Sequence, residues 1–184
     1  MSTQYYENLI RTVLDNSYNK DWDSAVLEWK IIDCEENEFT YSACICGKED
    51  IRYLYRIQNI ITGNSLFPIG STCIKKFNRT DLNETTSLYK ELFKLRDEVQ
   101  KNNFIKFNTQ LFSRKLLKYL FDEGAFKPTK YNQMDGRNDY DFMLDMFNQR
   151  RALTNAQQRK VKAILLSSIK PFIMNKLKNK NVNH

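Results

Sequence analysis

The four cysteines are the feature that most constrains this chain. All of them fall between residues 34 and 73 of the 184-residue sequence, with the spacing C-x9-C-x-C-x26-C. Three explanations compete for such a cluster: a disulfide framework, buried unreactive thiols, or a metal site. The choice decides whether this region is held by a covalent bond, by packing or by an ion.

The N-terminus and the apolar runs argue against export. The opening M-S-T-Q-Y-Y-E-N lacks the basic-then-apolar order of a signal peptide, and no apolar run reaches the roughly 18 residues of a membrane span. We therefore expect a cytoplasmic protein without a membrane segment. Disulfides are rare in that compartment, and a redox role lacks the C-x-x-C motif, so both are disfavoured.

Local features around the cysteines favour a metal. The run C-I-C-G at 44–47 is a tight turn that sends two thiolates to one point, and its glycine turns without a Cβ clash. Cys73 follows Gly70-Ser71-Thr72, which offers helix N-cap residues, so we expect it in a first helical turn where the dipole lowers its pKa. Four thiolates fit a closed, structural, tetrahedral Zn²⁺ site. The predicted ligands are Cys34, Cys44, Cys46 and Cys73.

Two other residues have side chains that can bind a metal. Asp33 is a substitute candidate for the fourth position, and the single histidine, His184, stands at the end of the chain and is not expected to bind the metal. Buried inert cysteines remain the alternative, because free cysteine is common in protein cores.

Hydrophobic spacing predicts mixed structure in the N-terminal part. Residues 3–15 have helical spacing, 25–34 suit a strand, and 51–59 alternate as a second strand. T-G-N at 62–64 fits a hairpin turn, and Pro68 confines the returning strand to an edge or its end. A knuckle, a hairpin and a following helix in this order resemble the treble-clef type of zinc finger.

Beyond residue 80 the periodicity is helical. A leucine stripe over 88–99, capped by Asn83 or Thr85, is followed by a second stripe over 111–120 and a short helix over 140–147. Residues 124–139 read as a linker or long loop.

The last predicted helix begins after Thr154 and carries Pro171. Proline has no N–H for the carbonyl of Ser167, so the helix should kink or restart there. The predicted fold class is therefore α+β: a small treble-clef-like zinc module with a β-hairpin over 1–80, then a C-terminal helical bundle over 81–184 with a basic last helix.

Charge is distributed unevenly along the chain. The formal net charge is +7, yet residues from 146 onward carry +9 because Asp145 is the last acidic residue. The predicted acidic residues near the cysteines are Asp33, Glu35, Glu36, Glu38, Glu49 and Asp50. These segments predict an acidic metal end and a basic helical end, and ordinary solvated faces are the alternative.

The sequence lacks the motifs of the common enzyme classes. We find no G-x-S-x-G, no Walker loop, no H-E-x-x-H and no internal histidine for acid–base chemistry near neutral pH. Asp139 and Asp141 read as charges at a helix N-terminus rather than as a catalytic pair. We therefore expect a binding protein and not an enzyme.

Two long segments resemble a known group of proteins. C-I-C-G-K-E-D-I-R-Y-L-Y-R-I-Q-N, then T-G, then P-I-G-S-T-C-I-K-K-F, is similar to small zinc-containing proteins from phages and mobile elements of low-GC Gram-positive bacteria. The later segments F-S-R-K-L-L-K-Y-L-F-D-E-G-A-F-K-P and L-T-N-A-Q-Q-R-K-V resemble the same group. Some members are anti-CRISPR proteins that act on the RNA-guided nuclease of type II-A systems.

The resemblance implies a function, a partner and a location. It implies a phage protein that evades host defence by binding the type II-A CRISPR effector nuclease stoichiometrically in the bacterial host cytoplasm and hindering target DNA loading. A net charge of +7 disfavours wholesale DNA mimicry, so we expect the acidic segment to dock on a basic surface of the nuclease. The expected contact residues are Asp33, Glu35, Glu36, Glu38, Phe39, Tyr41, Glu49 and Asp50.

A second function class rests on the basic C-terminal helix. Arg159, Lys160 and Lys162 are placed to contact phosphates, and zinc modules often accompany such helices. The alternative prediction is therefore a zinc-containing nucleic-acid-binding accessory protein of a phage or mobile element. The acidic zinc module speaks against it, because carboxylates repel a phosphate backbone.

Overall fold

A computed structural model describes residues 3–37, 42–101 and 105–178. Within these ranges the fold is α+β, with helices and a three-stranded antiparallel sheet. The chain divides into two compact units, an N-terminal unit of residues 1–89 and a C-terminal unit of 90–184. The boundary predicted from the sequence, at 80/81, lies earlier in the chain than this one. It coincides with the first turn of the helix that contains residue 89.

The N-terminal unit begins as the periodicity predicts. Helix α1 spans Thr3–Asp15 and buries Leu9 and Val13. The strand predicted over 25–34 begins later, because Asp21 accepts a hydrogen bond from the Ser24 amide (2.9 Å) and caps a short helix. The segments are α2 at Trp22–Ala25, a 3₁₀ turn at Val26–Glu28 and strand β1 at Trp29–Glu36.

The hairpin prediction is confirmed. Strand β2 (Tyr53–Asn59) pairs antiparallel with β1 on one side and with β3 (Ser65–Ile69) on the other, so β3 with its proline is an edge strand. Gly63 has φ +76° in the turn, a conformation that favours glycine. Tyr55 and Ile57 are fully buried, as the alternation predicts.

Two further helices follow the sheet. Helix α3 (Ser71–Lys75) begins where predicted, but its N-cap is Gly70 and no side chain caps it. Helix α4 spans Thr80–Gln100 and begins before the predicted caps Asn83 and Thr85. The preceding Arg79 donates hydrogen bonds to the carbonyls of Val26 (2.9 Å) and Trp29 (2.5 Å), which ties the start of α4 to the start of β1.

A buried carboxylate fastens one end of the sheet. Glu28 accepts hydrogen bonds from the amides of Tyr18 (2.8 Å) and Asn19 (2.7 Å) and from the Asn59 side chain (2.6 Å). Its own carbonyl accepts from the Ile60 amide at 2.7 Å. One residue therefore joins the loop after α1, the start of β1 and the β2–β3 turn.

The C-terminal unit contains helices in the order that the sequence predicts, with corrected bounds. Ser113 caps α5 by accepting from the Leu116 amide at 3.1 Å. The predicted loop over 124–139 is wrong at both its middle and its end, because it contains a 3₁₀ turn and the first residues of α6. The elements are α5 at Arg114–Asp122, the 3₁₀ turn at Lys130–Asn132 and α6 at Gly136–Asn148.

Pro171 is accommodated by a widened helix. Helix α7 spans Asn155–Ile164, a π-helical segment covers Leu165–Ile169, and α8 covers Lys170–Lys178. The Lys170 amide donates to the Leu165 carbonyl five residues back, so the chain enters the proline with π-type hydrogen bonding. The prediction was a kink or a restart at Pro171; the helical conformation instead continues through the proline without a break, and the change is the π-helical segment before it. No helix in the described ranges is long and apolar enough to cross a membrane.

Candidate metal centre

The C-I-C-G segment forms a tight hydrogen-bonded turn. The Gly47 amide donates to the Cys44 carbonyl at 2.7 Å, and the Cys44 amide donates to the Lys48 carbonyl at 2.8 Å. Gly47 has φ +90°, which confirms the conformational role predicted for it. The Ile45 amide donates to the Pro68 carbonyl at 2.9 Å, so the turn is fixed to the edge strand β3.

Three of the four predicted ligands meet at one point. The sulfur atoms of Cys44, Cys46 and Cys73 all lie within 4.8 Å of one another, and those of Cys44 and Cys73 are 3.6 Å apart. All three side chains are buried. They come from the turn and from α3, so the cluster links two segments that are 26 residues apart in the chain.

Hydrogen bonds make one of these thiols the most acidic. The hydrogen bond between the Cys44 and Cys73 sulfur atoms lowers the pKa of Cys44; burial opposes this, and the amides of Cys46 and Gly70 lower the pKa again. The Gly70 nitrogen is 3.3 Å from the Cys44 sulfur. Cys44 is therefore the group that most readily becomes the thiolate that metals bind.

The helix dipole does not dominate the pKa of Cys73 as the sequence predicts. This pKa is raised, first by the hydrogen bond with Cys44 and then by burial. Burial also raises the pKa of Cys46. A helix of five residues offers only a short dipole, and the hydrogen bond between neighbouring sulfur atoms outweighs it.

The thiols border a cavity of about 190 Å³ whose lining includes Asp50, Ser71 and Thr72. Gly70 stands between the sheet and the thiols. A Cβ atom at that position would come within 3.3 Å of Ile51 and 3.9 Å of the Cys44 sulfur. A side chain at position 70 would therefore crowd Ile51.

Cys34 lies outside the group of three thiols. It is on β1, paired in register with Tyr55, which is in turn paired with Ile69 on β3. Two strand spacings place it roughly 10 Å from the β3 backbone. Its thiol lies 3.7 Å from the Glu35 carbonyl oxygen. The pKa of the nearby Tyr55 hydroxyl is raised, first by burial and then by the charge of Cys34.

The acidic residues predicted to bind a partner occupy different environments. Asp33 accepts a hydrogen bond from the Cys34 amide at 2.8 Å, and Glu36 pairs with Arg52 at 2.5 Å with its side chain almost fully covered. Glu35 is half-buried, whereas Glu49 and Asp50 are exposed. Three predicted residues lie outside the described ranges: Glu38, Phe39 and Tyr41.

The predicted phosphate-binding residues are on α7. Arg159, Lys160 and Lys162 are all exposed. The Lys160 ammonium lies 4.2 Å from the centre of the Phe142 ring and 4.0 Å from an Asp139 carboxylate oxygen. Asp139 itself is buried and accepts from the Asn132 side chain at 2.8 Å, so it is a structural residue of the N-terminal turn of α6.

A set of exposed apolar residues in the N-terminal unit was not predicted from the sequence. Four large side chains, at 57–70% exposure, surround the buried Glu28: Tyr18, Leu27, Ile60 and Ile61. Periodicity does not reveal them because they lie in turns. The one available signal was the pair of isoleucines just before T-G-N, where turns normally carry polar residues.

Comparison with known proteins gives no relative for this chain. No protein-family model, curated protein or solved structure matches it.

Proposed function

We propose that Cys44, Cys46 and Cys73 supply three of the four ligands of a structural Zn²⁺ centre in the N-terminal unit. The observation that carries this is the meeting of three buried sulfur atoms within 4.8 Å. Thiolates are preferred zinc ligands, and the amide donors at Cys44 favour the deprotonated form. The turn, hairpin and α3 would then form a treble-clef-like module, followed by a C-terminal helical bundle.

Metal analysis tests the zinc proposal. Protein purified without chelator is expected to contain about one zinc per chain, and chelation should lower its unfolding temperature, because structural zinc contributes about 10–16 kcal/mol in small finger peptides. Protein with well under one metal ion per chain, and the same unfolding temperature with and without chelator, would refute it.

We further propose that the zinc-containing protein is a non-enzymatic anti-CRISPR inhibitor. It would bind the RNA-guided nuclease of a type II-A system stoichiometrically and hinder loading of target DNA. The resemblance of the C-I-C-G and P-I-G-S-T-C segments to phage proteins of this kind supports the proposal. The exposed apolar residues around Glu28 add a surface suited to a protein partner.

A binding and cleavage experiment tests the inhibitor proposal. Purified protein is mixed with a guide-loaded type II-A nuclease, the mixture is separated by gel filtration, and cleavage of a matched target is followed. We expect co-elution and loss of cleavage at about one inhibitor per nuclease, as expected for a tight 1:1 complex. Separate elution together with unchanged cleavage would refute the proposal.

A nucleic-acid-binding accessory protein is the second candidate. The exposed basic residues of α7, in a segment with no acidic residue after Asp145, favour it. An electrophoretic assay with bare DNA and RNA at two salt concentrations distinguishes the candidates. Tight binding that weakens steeply with salt supports the accessory protein, and weak binding supports the inhibitor.

A further inference from the structure

The C-terminal unit contains a cavity of about 350 Å³, the C-terminal cavity. This volume lies in the range of small-molecule sites, roughly 300–1,000 Å³. One wall comes from the end of α5 and the loop after it, and the other comes from the π-helical segment and α8. The lining includes Glu123, Lys127, Ser167, Ser168, Phe172 and Lys176. Because π-helical turns occur frequently at functional sites, the wall formed by Leu165–Ile169 draws attention to this cavity.

Ser168 is a buried polar residue in the wall of the C-terminal cavity. It is only 6% exposed. Its hydroxyl oxygen lies 3.5 Å from that of Ser167, longer than the usual distance of roughly 2.5–3.0 Å between hydroxyl groups. In the part of the chain that the structure describes, the Ser168 hydroxyl makes no other hydrogen bond, such as the bond to the Ile164 carbonyl that helical serines often form. A ligand that accepts from this hydroxyl would therefore pair a buried group that is poorly paired without it.

Three charged residues line the cavity, and two of them neutralise each other. The Lys176 ammonium donates to the Glu123 carboxylate at 2.5 Å. The Lys127 ammonium has no hydrogen-bond, ion-pair or ring partner among residues 3–37, 42–101 and 105–178. Its backbone is nevertheless fixed, because the Lys127 carbonyl accepts from the Asn132 side chain at 2.9 Å. The uncompensated charge at the cavity is therefore a single cation.

The surroundings of the cavity are also basic. Residues 118–130 and 162–178, which contribute both walls, contain seven lysines and two acidic residues, Asp122 and Glu123. Asp122 is paired with Lys118. The whole unit over 90–184 has 20 lysines and arginines against 9 aspartates and glutamates, a formal charge of +11. Both the lining and the wider electrostatic field therefore favour an anionic ligand.

The donors at the cavity suit a phosphate group better than a carboxylate. Carboxylates are typically held by the planar fork of arginine, and the residues that line this cavity do not include one. Lysine is a common phosphate ligand that acts as a point charge, and the hydroxyls of Ser167 and Ser168 can donate to further phosphate oxygens. The half-buried Phe172 provides an apolar surface for an organic group attached to the phosphate.

We propose that the C-terminal cavity binds a small phosphate ester. The Lys127 ammonium and the hydroxyls of Ser167 and Ser168 hold the phosphate, and the organic group packs on Phe172. This inference goes beyond the proposed inhibitor function, because it assigns a ligand to the C-terminal unit. Its test does not involve the nuclease, so the two proposals can fail separately.

An NMR titration of the full-length protein tests the site. The probes are phenyl phosphate, ribose 5-phosphate and AMP, each compared with its phosphate-free counterpart: phenol, ribose or adenosine. We expect at least one ester to bind with a dissociation constant in the millimolar range or below, and to shift mainly the amide signals of residues 123–127 and 167–176. Its phosphate-free counterpart should bind at least tenfold more weakly. If none of the three esters shifts these amides, or if the counterparts bind equally well, the proposal is wrong.

Two variants locate the bound phosphate. We expect Lys127→Gln to weaken binding about tenfold or more, and Ser168→Ala about fivefold, since they remove a charged and a neutral donor. Lys130→Gln is the matched control: this exposed lysine of the same loop does not line the cavity, and its ammonium lies 5.0 Å from the centre of the Tyr131 ring. It should bind like wild type. Circular dichroism checks that each variant folds, and Lys127→Gln, at an exposed position, decides alone if Ser168→Ala does not fold.

The variants also separate a built site from general attraction by a basic protein. Equal weakening by Lys127→Gln and Lys130→Gln would show that the phosphate responds only to the charge of the unit, and would overturn the proposal. Unchanged binding in folded Lys127→Gln would overturn it as well, because the uncompensated cation of the cavity would then make no contact with the ligand.

Discussion

Glu28 is buried, yet it carries a negative charge near neutral pH. Burial alone would raise its pKa above the ordinary value of 4.5. Hydrogen bonds from the Asn59 side chain and from Asn19 and Tyr18 more than offset this and lower the pKa to about 2. The folded-state pKa is thus below the unfolded value. The charged form stabilises the fold fully above pH 4.5, and this contribution is lost as the pH falls from 4.5 toward 2.

Removing this charge should change how stability depends on pH. We expect Glu28→Gln to lower the unfolding temperature at neutral pH, because an amide both accepts fewer hydrogen bonds and places an unpaired N–H group in the site. The difference from wild type should shrink below pH 4.5, where wild type loses its own contribution. Thermal unfolding across the acid range measures this, with the exposed Glu7→Gln as control. A difference that is constant with pH would contradict the assignment.

Gly136 is a second residue whose identity the fold requires. A Cβ atom there would lie 2.0 Å from the carbonyl oxygen of Phe126, so either α6 or the segment before it must move. We expect Gly136→Ala to lower the free energy of unfolding by about 3 kcal/mol or more, at the upper end of overpacking effects. Denaturant unfolding measures it, with the exposed Asp145→Ala in the same helix as control. Equal free energies of unfolding for wild type and Gly136→Ala would contradict this expectation, because they would show that the contact with the Phe126 carbonyl oxygen is easily relieved.

At the scale of elements, N-cap residues in the sequence predict the start of a helix well where their side chains cap it. Thr154 accepts from the Gln157 amide at 3.3 Å while the Gln157 side chain accepts from the Thr154 amide at 2.9 Å, a capping box that confirms the predicted start of α7. The start of α4 was missed because tertiary hydrogen bonds of Arg79 fix it, and no local signal announces them.

The capping box should carry measurable stability. Thr154→Ala is expected to destabilise the protein by about 1 kcal/mol, because the Gln157 amide loses the hydroxyl oxygen that it donates to. Thr154→Ser keeps the hydroxyl and should restore most of that stability. Chemical denaturation of the three proteins measures the difference. If the serine and alanine variants are equally destabilised, the methyl group of Thr154, and not its hydroxyl, is what matters.

At the scale of the whole molecule, sequence predicts what is local and misses what the fold assembles. Local sequence signals predicted the C-I-C-G turn, the hairpin and the helical position of Cys73. The structure brings the thiols of the turn and of Cys73 together. Cys34 was grouped with them from the cysteine spacing and from its place on the preceding strand, and neither shows that this strand lies two positions from β3. The exposed apolar residues around Glu28 were not predicted because they come from three separate turns.

The zinc content of four single cysteine variants tests the central claim most directly. Each of Cys34→Ser, Cys44→Ser, Cys46→Ser and Cys73→Ser is purified without chelator, its folding is checked by circular dichroism, and its zinc per chain is measured. We expect Cys34→Ser to keep about one zinc, like wild type, and the other three to lose most of it, since each removes a thiolate from the cluster. Zinc loss from a folded Cys34→Ser as complete as from the other three would contradict the three-thiolate centre.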